Sequence, residues 1–317
     1  MSNSAIQSTY KSSDTEEWID KIFTRPIGFL WAKFFNKLGV HPNTVTVFSM
    51  ILGAGAGYMF HFDANSPRGL LYNVIAILLL MWANFYDSAD GQLARMSGKK
   101  TQLGRILDGV SADVWYIAIY SGLAFRLQSH NIPGTDIEWG IWGWLFAIFC
   151  GICCHTPQCR VSDYYRNIHL FFVNGRSGSE FDRAAAQIEK FNAMTWRTNS
   201  YQKLFQWFYK NYTVAQEKAT PQFQALWARL QSIYGADIPQ NFRNQFRSES
   251  LPLMKYTNIL TFNWRAIALY VAALVDQPWL YLCFEAIVLS IISLYMHYRH
   301  ERMCNRLCLL LQTDHGN

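Results

Sequence analysis

Charge is scarce in this sequence. Of 317 residues only 16% are Asp, Glu, Lys or Arg, against about 25% in soluble domains, while 51% are hydrophobic and 16% aromatic. That balance argues against a soluble globular chain and for a membrane protein. Mean hydropathy is nevertheless −0.01, so the apolar residues must be gathered into segments separated by polar stretches. A secretory leader is not expected: Met1 to Glu17 is polar and of mixed charge, with no short apolar core before a small-residue cleavage site. The spans themselves should direct insertion. A disulfide framework is not expected either, because the seven cysteines face mainly a reducing compartment. Cys150, Cys153, Cys154 and Cys159, with His155, superficially suggest zinc, but three of them fall in or at the end of an apolar segment, where cysteine acts as a small hydrophobe. Cys304 and Cys308 are candidates for palmitoylation.

Windows of about 20 apolar residues, enough to cross the hydrocarbon core, lie near Thr44 to His61, Gly69 to Tyr86, Leu107 to Phe125, Trp139 to Cys154, Leu260 to Val275 and Pro278 to His297. The fifth is interrupted by Arg265, which must sit near an end or face the bundle interior. Basic residues cluster before the first span (Lys21, Arg25, Lys33, Lys37), in the second connection (Arg95, Lys99, Lys100, Arg105) and at the C-terminus (Arg299, Arg302, Arg306). The positive-inside rule makes those sides cytoplasmic, and an even number of spans leaves both termini there. The expected fold is an all-α integral membrane protein of about six transmembrane helices, with a juxtamembrane amphipathic helix and a helical cytoplasmic insert. Its regions are a polar and interfacial segment (1–40), transmembrane helices 1–4 (41–155), the insert (156–258), and helices 5–6 with a tail (259–317).

The insert holds thirteen Lys or Arg and seven Asp or Glu, an excess equal to the whole chain's net charge of +6. Such a surface suits anionic lipid headgroups, and a solvated helical appendage explains it equally; no nucleic-acid partner is expected. Within it, Thr220 as N-cap, Pro221 at the first helical position, apolar Phe223, Leu226, Trp227 and Leu230, and Gly235 past the end predict one helix. Upstream of the first span, Ile27, Leu30, Trp31, Phe34, Phe35 and Leu38 recur at helical spacing, with Lys33 and Lys37 off the stripe. Pro26 should break or kink the chain before it. This stripe fits a helix lying in the membrane interface, or one packed on the polar insert.

The acidic residues carry the chemistry. Asp87-Ser-Ala-Asp90-Gly91-Gln-Leu-Ala94-Arg95 is followed by Gly104-Arg-Ile-Leu-Asp108 and then Asp113. Four carboxylates at the ends of apolar segments are costly unless they pair or bind cations. Asp87 and Asp90, three apart on a helix, share a face with Gly91 and Ala94. Carboxylates suit Mg²⁺ or Mn²⁺, and Mg²⁺ takes one or two of them together with substrate phosphates. Small residues let a bulky ligand approach the backbone. Adding Asp108 and Asp113 would give a site for two cations, an arrangement used for displacement at phosphorus. The alternative is a juxtamembrane charge network with Arg95, Arg105, Lys99 and Lys100.

This pattern resembles the signature of the CDP-alcohol phosphotransferases (CDP-alcohol phosphatidyltransferase family): Asp87, Asp90, Gly91, Ala94, Arg95, Gly104 and Asp108 match in residue and spacing. His41-Pro-Asn-Thr-Val-Thr46 resembles the segment that opens the first span in that family. The resemblance implies a six-span membrane enzyme of phospholipid biosynthesis that transfers a substituted phosphate from a CDP-linked donor to an alcohol, releasing CMP, and a homodimer. It implies Asp87, Asp90, Asp108 and Asp113 as ligands of two divalent ions, Asp108 and Asp113 as catalytic residues with Asp113 the candidate general base, and Gly91, Ala94, Arg95 and Asn43 as nucleotide contacts. One departure stands out. The family's last Asp falls four residues after the third, where this chain has Ala112; Asp113 comes one residue late, a turn of about 100° on a regular helix. A π-bulge would absorb it.

CDP-diacylglycerol with a water-soluble alcohol is the expected donor and acceptor. CDP-choline or CDP-ethanolamine with a lipid alcohol is the alternative, and a noncatalytic scaffold with a degenerate motif is another. Arg160 and Arg166 are candidates for binding an acceptor phosphate, or ordinary positive-inside residues. A transporter is disfavoured, since it would set its acids at mid-membrane.

Overall fold

A computed structural model describes residues 12–99, 101–175, 179–198 and 200–314, without the side chains of 102, 103, 105, 106 and 314. Lys100 and the side chain of Arg105 therefore lie outside the described residues. The described chain is helical, with no strand and one isolated bridge between Asn131 and Glu138. In order the helices are α1 (Arg25–Lys37), α2 (Pro42–Met59), α3 (Gly69–Ser97), α4 (Gln102–Leu127), α5 (Gly140–Phe149), α6 (Thr156–Asn174), α7 (Ala184–Ala193), α8 (Ser200–Ala219), α9 (Pro221–Tyr234), α10 (Gln240–Ser250), α11 (Met254–Ile259), α12 (Phe262–Leu274), α13 (Pro278–Cys283) and α14 (Ser290–Asp314). π-Helical turns precede α1 (Asp20–Thr24), join α5 to α6 (Cys150–His155) and join α13 to α14 (Phe284–Leu289).

Among the described residues, three helical runs are long and apolar enough to cross a membrane: Gly69–Ser97, Gly140–Asn174 and Pro278–Thr313. Helices also form at the other three expected positions, but α12 has 13 residues and rises only about 20 Å, short of the roughly 30 Å core. The helical run that holds the fourth apolar segment continues past Cys154 to Asn174. The chain forms two compact units, one of Glu16–Pro157 with Phe262–Val288, the other of Gln158–Thr261 with 12–15 and 289–314.

In the first unit, α2 and α4 pack at backbone distance. A methyl at Gly57 would fall 2.4 Å from the carbonyl carbon of Ala118, and one at Gly122 would fall 2.1 Å from the carbonyl oxygen of Gly57. Trp115 lies over Gly53 and donates its indole N–H to the Ser49 carbonyl at 2.9 Å. Small residues spaced four apart allow such close helix contact in membranes. Leu70, Leu71, Val74, Leu78 and Trp82 of α3 remain exposed, as lipid-facing residues would.

Two arginines buried inside this unit, Arg265 and Arg126, are paired with carboxylates. Arg265 is 1% exposed; it faces the bundle interior and pairs with Glu285, which also accepts from the Tyr120 hydroxyl and lies 3.0 Å from His155 Nδ1. That pairing accounts for the interruption of the fifth apolar segment. Elsewhere the buried Arg126 binds Asp276, and donates to Asn73 Oδ1 and the Ala273 carbonyl, both at 2.9 Å. Asp276 also accepts from the Ala64 and Asn65 amides at 3.1 and 3.2 Å.

Pro26 sits at the start of α1, directly after a π-helical turn, which takes the place of the expected break. The buried face of α1 is Gly28, Phe29, Ala32 and Phe35, not the full apolar stripe. Ala32 and Phe35 pack with Val45, Ala89 and Leu93, whereas Leu30, Phe34 and Leu38 are exposed.

The second unit has its own aromatic core. Phe172 stacks on Phe246 at 3.9 Å and Tyr165 on His300 at 3.7 Å. Helix α9 forms where the sequence predicts it, with Pro221 in its first turn, Gly235 at φ 57° after its end, and Phe223, Leu226, Trp227 and Leu230 buried. Thr220 makes no side-chain cap. Its hydroxyl returns to the Gln216 carbonyl, and Glu301 Oε2 accepts the Gln222 N–H at 2.7 Å instead. Arg247 donates to both carboxylate oxygens of Asp14 at 2.7 and 3.0 Å, and those bonds hold Asp14 below the usual carboxylate range.

Gly57→Val should lower the thermal stability of the detergent-solubilised protein by about 3 kcal/mol, because overpacking against backbone has no rotamer remedy. Gly109→Ala, where an added methyl meets nothing within 4 Å, should be neutral or stabilising by up to about 1 kcal/mol through helix propensity. Equal unfolding temperatures for the two variants would contradict the α2–α4 contact.

Candidate metal and nucleotide site

Helix α3 explains why acids stand where they do. It starts after Arg68, at φ 65°, and stops at Gly98, at φ 69°. At 1.5 Å per residue its 29 residues reach about 43 Å, and Asp87 lies about 27 Å from the start. Asp90 lies one turn beyond. On α4, the hydroxyl of Thr101 accepts the Gly104 N–H at 2.9 Å, and this N-cap begins the helix that carries Asp108.

These elements bring carboxylate oxygens of Asp87, Asp90 and Asp108 within 4.8 Å of one another. Asp90 is 4% exposed and accepts from the Thr46 hydroxyl, near the start of α2. The Ser111 hydroxyl lies 2.9 Å from Asp87 Oδ1 and 2.7 Å from the Asp108 carbonyl oxygen. Asp108 is exposed. Like charges at such separations repel by on the order of 3 kcal/mol per pair at an effective dielectric constant of about 20. A hard divalent cation with oxygen preference relieves that repulsion, and the all-carboxylate donor set fits Mg²⁺ or Mn²⁺.

A second observation points to an anionic ligand. Arg95 Nε and Nη2 are buried with no hydrogen-bond partner, and donors in that state seek one. A methyl at Gly91 would meet only the Arg95 guanidinium, at 3.6 and 3.7 Å. The surface of Gly91 is thus open up to that group, with Ala94 half-buried on the same helix. Asn43, whose N–H is capped by His41 Nδ1 at 3.2 Å, places Oδ1 3.0 Å from where a methyl on Gly104 would stand.

Asp113 stands outside the three-carboxylate group. Helix α4 is α-helical throughout, with no π-bulge, so five residues turn Asp113 by about 140° relative to Asp108. Its side chain is exposed, and Ala112 keeps the position one turn after Asp108. Thr46 and Ser111 are the polar partners that the spacing of acids did not indicate. Thr46 was within reach as the last residue of the His41–Thr46 motif, and Ser111 as the hydroxyl one turn after Asp108.

Other candidates lie elsewhere. Arg160 and Arg166 belong to the second unit, where Arg166 donates to Asn258 Oδ1 at 3.2 Å. The Cys150–Cys159 stretch forms no metal-capable group among the described residues; Cys150 Sγ is 3.4 Å from the Leu282 carbonyl and His155 is taken by Glu285. Cys304 is fully buried, which leaves no room for palmitoylation there.

The family model of the CDP-alcohol phosphatidyltransferases matches residues 39–154. An uncharacterized protein of Aquifex aeolicus (strain VF5) is 39% identical over 75 residues, covering 24% of this chain and 34% of that protein. The match thus spans about a third of that relative's length. No solved structure matches.

Thr46→Val should weaken Mn²⁺ binding about 10- to 100-fold, the usual effect of removing a hydrogen bond to a ligating carboxylate, and Asp90→Asn should weaken it at least as much. Asp113→Asn should leave it unchanged. Mn²⁺ titration followed by electron paramagnetic resonance reads all three, and an Asp113→Asn effect as large as that of Asp90→Asn would overturn the three-residue assignment.

Proposed function

Because residues 39–154 belong to the CDP-alcohol phosphatidyltransferase family, we propose that this chain transfers a substituted phosphate from a CDP-linked donor to an alcohol, releasing CMP. The observation that carries this reading is the group formed by Asp87, Asp90 and Asp108, with Arg95, whose Nε and Nη2 lack partners, on the helix that carries the first two. One collects divalent cations, the other an anion. A nucleoside diphosphate with its cations supplies both.

Asp87, Asp90 and Asp108 would hold the cations, Mg²⁺ or Mn²⁺, which would supply positive charge against the diphosphate and the departing CMP. Thr46 and Ser111 orient Asp90 and Asp87. Arg95 donates to a donor phosphate, and Gly91 and Ala94 let the nucleotide lie against α3, with Asn43 at its edge. The acceptor hydroxyl oxygen attacks phosphorus, a new P–O bond forms, and the bond to CMP breaks with its electron pair leaving on CMP. Asp113 is kept for proton removal alone, through an intervening water, since it stands apart from the cation group. Most of the acceleration then comes from positioning and electrostatics.

Six spans with both termini cytoplasmic remain part of this proposal, supported by Lys21, Lys33 and Lys37 at one end of the chain and Arg299, Arg302 and Arg306 at the other. The exposed Leu30, Phe34 and Leu38 of α1 support its lying in the membrane interface. CDP-diacylglycerol with a water-soluble alcohol is the pair we favour, because the basic insert would draw an anionic acceptor; the proposed assembly is a homodimer.

Purified protein with Mg²⁺ or Mn²⁺ and CDP-diacylglycerol should release CMP when offered glycerol phosphate, serine, inositol, inositol phosphate or another small alcohol. Asp108→Asn should abolish release, and Asp113→Asn should lower it about 10²- to 10⁴-fold without changing Mn²⁺ affinity. CMP release from CDP-choline or CDP-ethanolamine and diacylglycerol alone would reverse the donor assignment, and CMP release unaffected by Asp108→Asn would sink the site.

A further inference from the structure

On α14, in the second unit, His300, Glu301 and Cys304 are all buried and bring one donor atom each within 4.8 Å of the others. His300 Nδ1 lies 3.6 Å from Cys304 Sγ and 3.7 Å from Glu301 Oε1. The first is an ordinary length for a hydrogen bond to sulfur, and the second is too long for a hydrogen bond between nitrogen and oxygen. Both are close to the separation of about 3.3 to 3.6 Å between donors around a tetrahedral zinc, given bonds of about 2.0 to 2.1 Å to nitrogen or oxygen and 2.3 Å to sulfur. We propose that His300, Glu301 and Cys304 form a binding site for Zn²⁺ or a similar thiophilic divalent cation, separate from the aspartate group.

A second observation points to a ligand. Glu301 is 8% exposed; its Oε2 accepts the Gln222 N–H at 2.7 Å, yet Oε1, the oxygen turned toward His300, has no hydrogen-bond partner. A buried carboxylate oxygen without a donor is costly. A dication held by thiolate, carboxylate and neutral imidazole leaves no net charge in the core, and sulfur with imidazole selects zinc over magnesium. The surroundings hold the donors still: Tyr165 stacks on the His300 ring at 3.7 Å, with Phe223 and Phe246 at 6.2 and 6.3 Å. Arg299, Arg302 and Arg306 on the same stretch of helix put this part of α14 outside the hydrocarbon. Because Glu301 also caps α9, the bound cation would fix α14 to α9 through one side chain.

The test is Co²⁺ titration of the full-length protein in detergent, read by the thiolate-to-cobalt charge-transfer absorption that carboxylate sites do not give, with Zn²⁺ competition. One equivalent of Co²⁺ should produce that band, Zn²⁺ should displace it, and Asp90→Asn should leave it intact. Cys304→Ser should abolish the band. Glu301→Gln, which keeps an acceptor for the Gln222 amide, should weaken Co²⁺ binding at least tenfold with circular dichroism unchanged. Absence of the band in the unaltered protein, or its persistence in Cys304→Ser, would overturn the proposal.

Discussion

Three carboxylates with oxygens inside 4.8 Å of one another set the terms for the first unit. Their repulsion favours separation of α3 from α4, so something else must hold those helices together. The α2–α4 contact does so from one side: Gly57 and Gly122 meet backbone to backbone, and Trp115 locks over Gly53. From α2, Thr46 reaches Asp90, and Ser111 ties Asp87 on α3 to the turn of α4 that carries Asp108. Helix packing thus pre-forms a site whose electrostatic cost a bound cation would offset. Preorganised charge of this kind is what phosphoryl transfer requires.

The same helices are fixed away from the acids by a second set of charges. Arg126 at the end of α4 binds Asp276 after α12, together with carbonyl and amide groups from the end of α2 and from α3. Burial alone would raise the Asp276 carboxyl, but Arg126 and the Ala64 and Asn65 amides outweigh it and hold it below its ordinary value. A carboxylate depressed in the folded state stabilises the fold above its unfolded value, near 3.9, and loses that contribution as the pH falls through the lower folded value. At neutral pH the Asp276 carboxylate of this clasp is therefore ionised. Removing one partner of such a pair strands the other, at about 3 to 5 kcal/mol.

Much of this was legible in the sequence, and what was not has physical causes. Helix α9 could be read to the residue because Pro221, the 223–226–227–230 stripe and Gly235 all agree. Asp87, Asp90 and Asp108 could be read because their spacing places them on helix faces at span ends. Pairings across helices could not: nothing in the local pattern joins Arg265 to Glu285, Thr46 to Asp90 or Glu301 to the start of α9, because those contacts depend on tertiary packing. The apolar stripe of α1 misled in part, since periodicity gives a face but not its partner. Only Phe35 of that stripe is fully buried, while Gly28, Phe29 and Ala32 complete the buried face.

The position of Asp113 follows from register rather than from sequence spacing. A π-bulge between Asp108 and Asp113 would rotate every later residue of α4 by about 100°. It would carry Trp115 off Gly53 and Gly122 off Gly57, contacts that leave no room for an added methyl, and would break the Trp115 bond to Ser49. Before the bulge, Ser111 is already committed to Asp87 and to the Asp108 carbonyl. Both flanks are thus pinned, and α4 stays regular. Among the described residues π-turns occur at Asp20–Thr24, Cys150–His155 and Phe284–Leu289, and the last two carry His155 and Glu285, which face each other. With α4 regular throughout, the acid one residue past the motif's expected place stands outside the cation group.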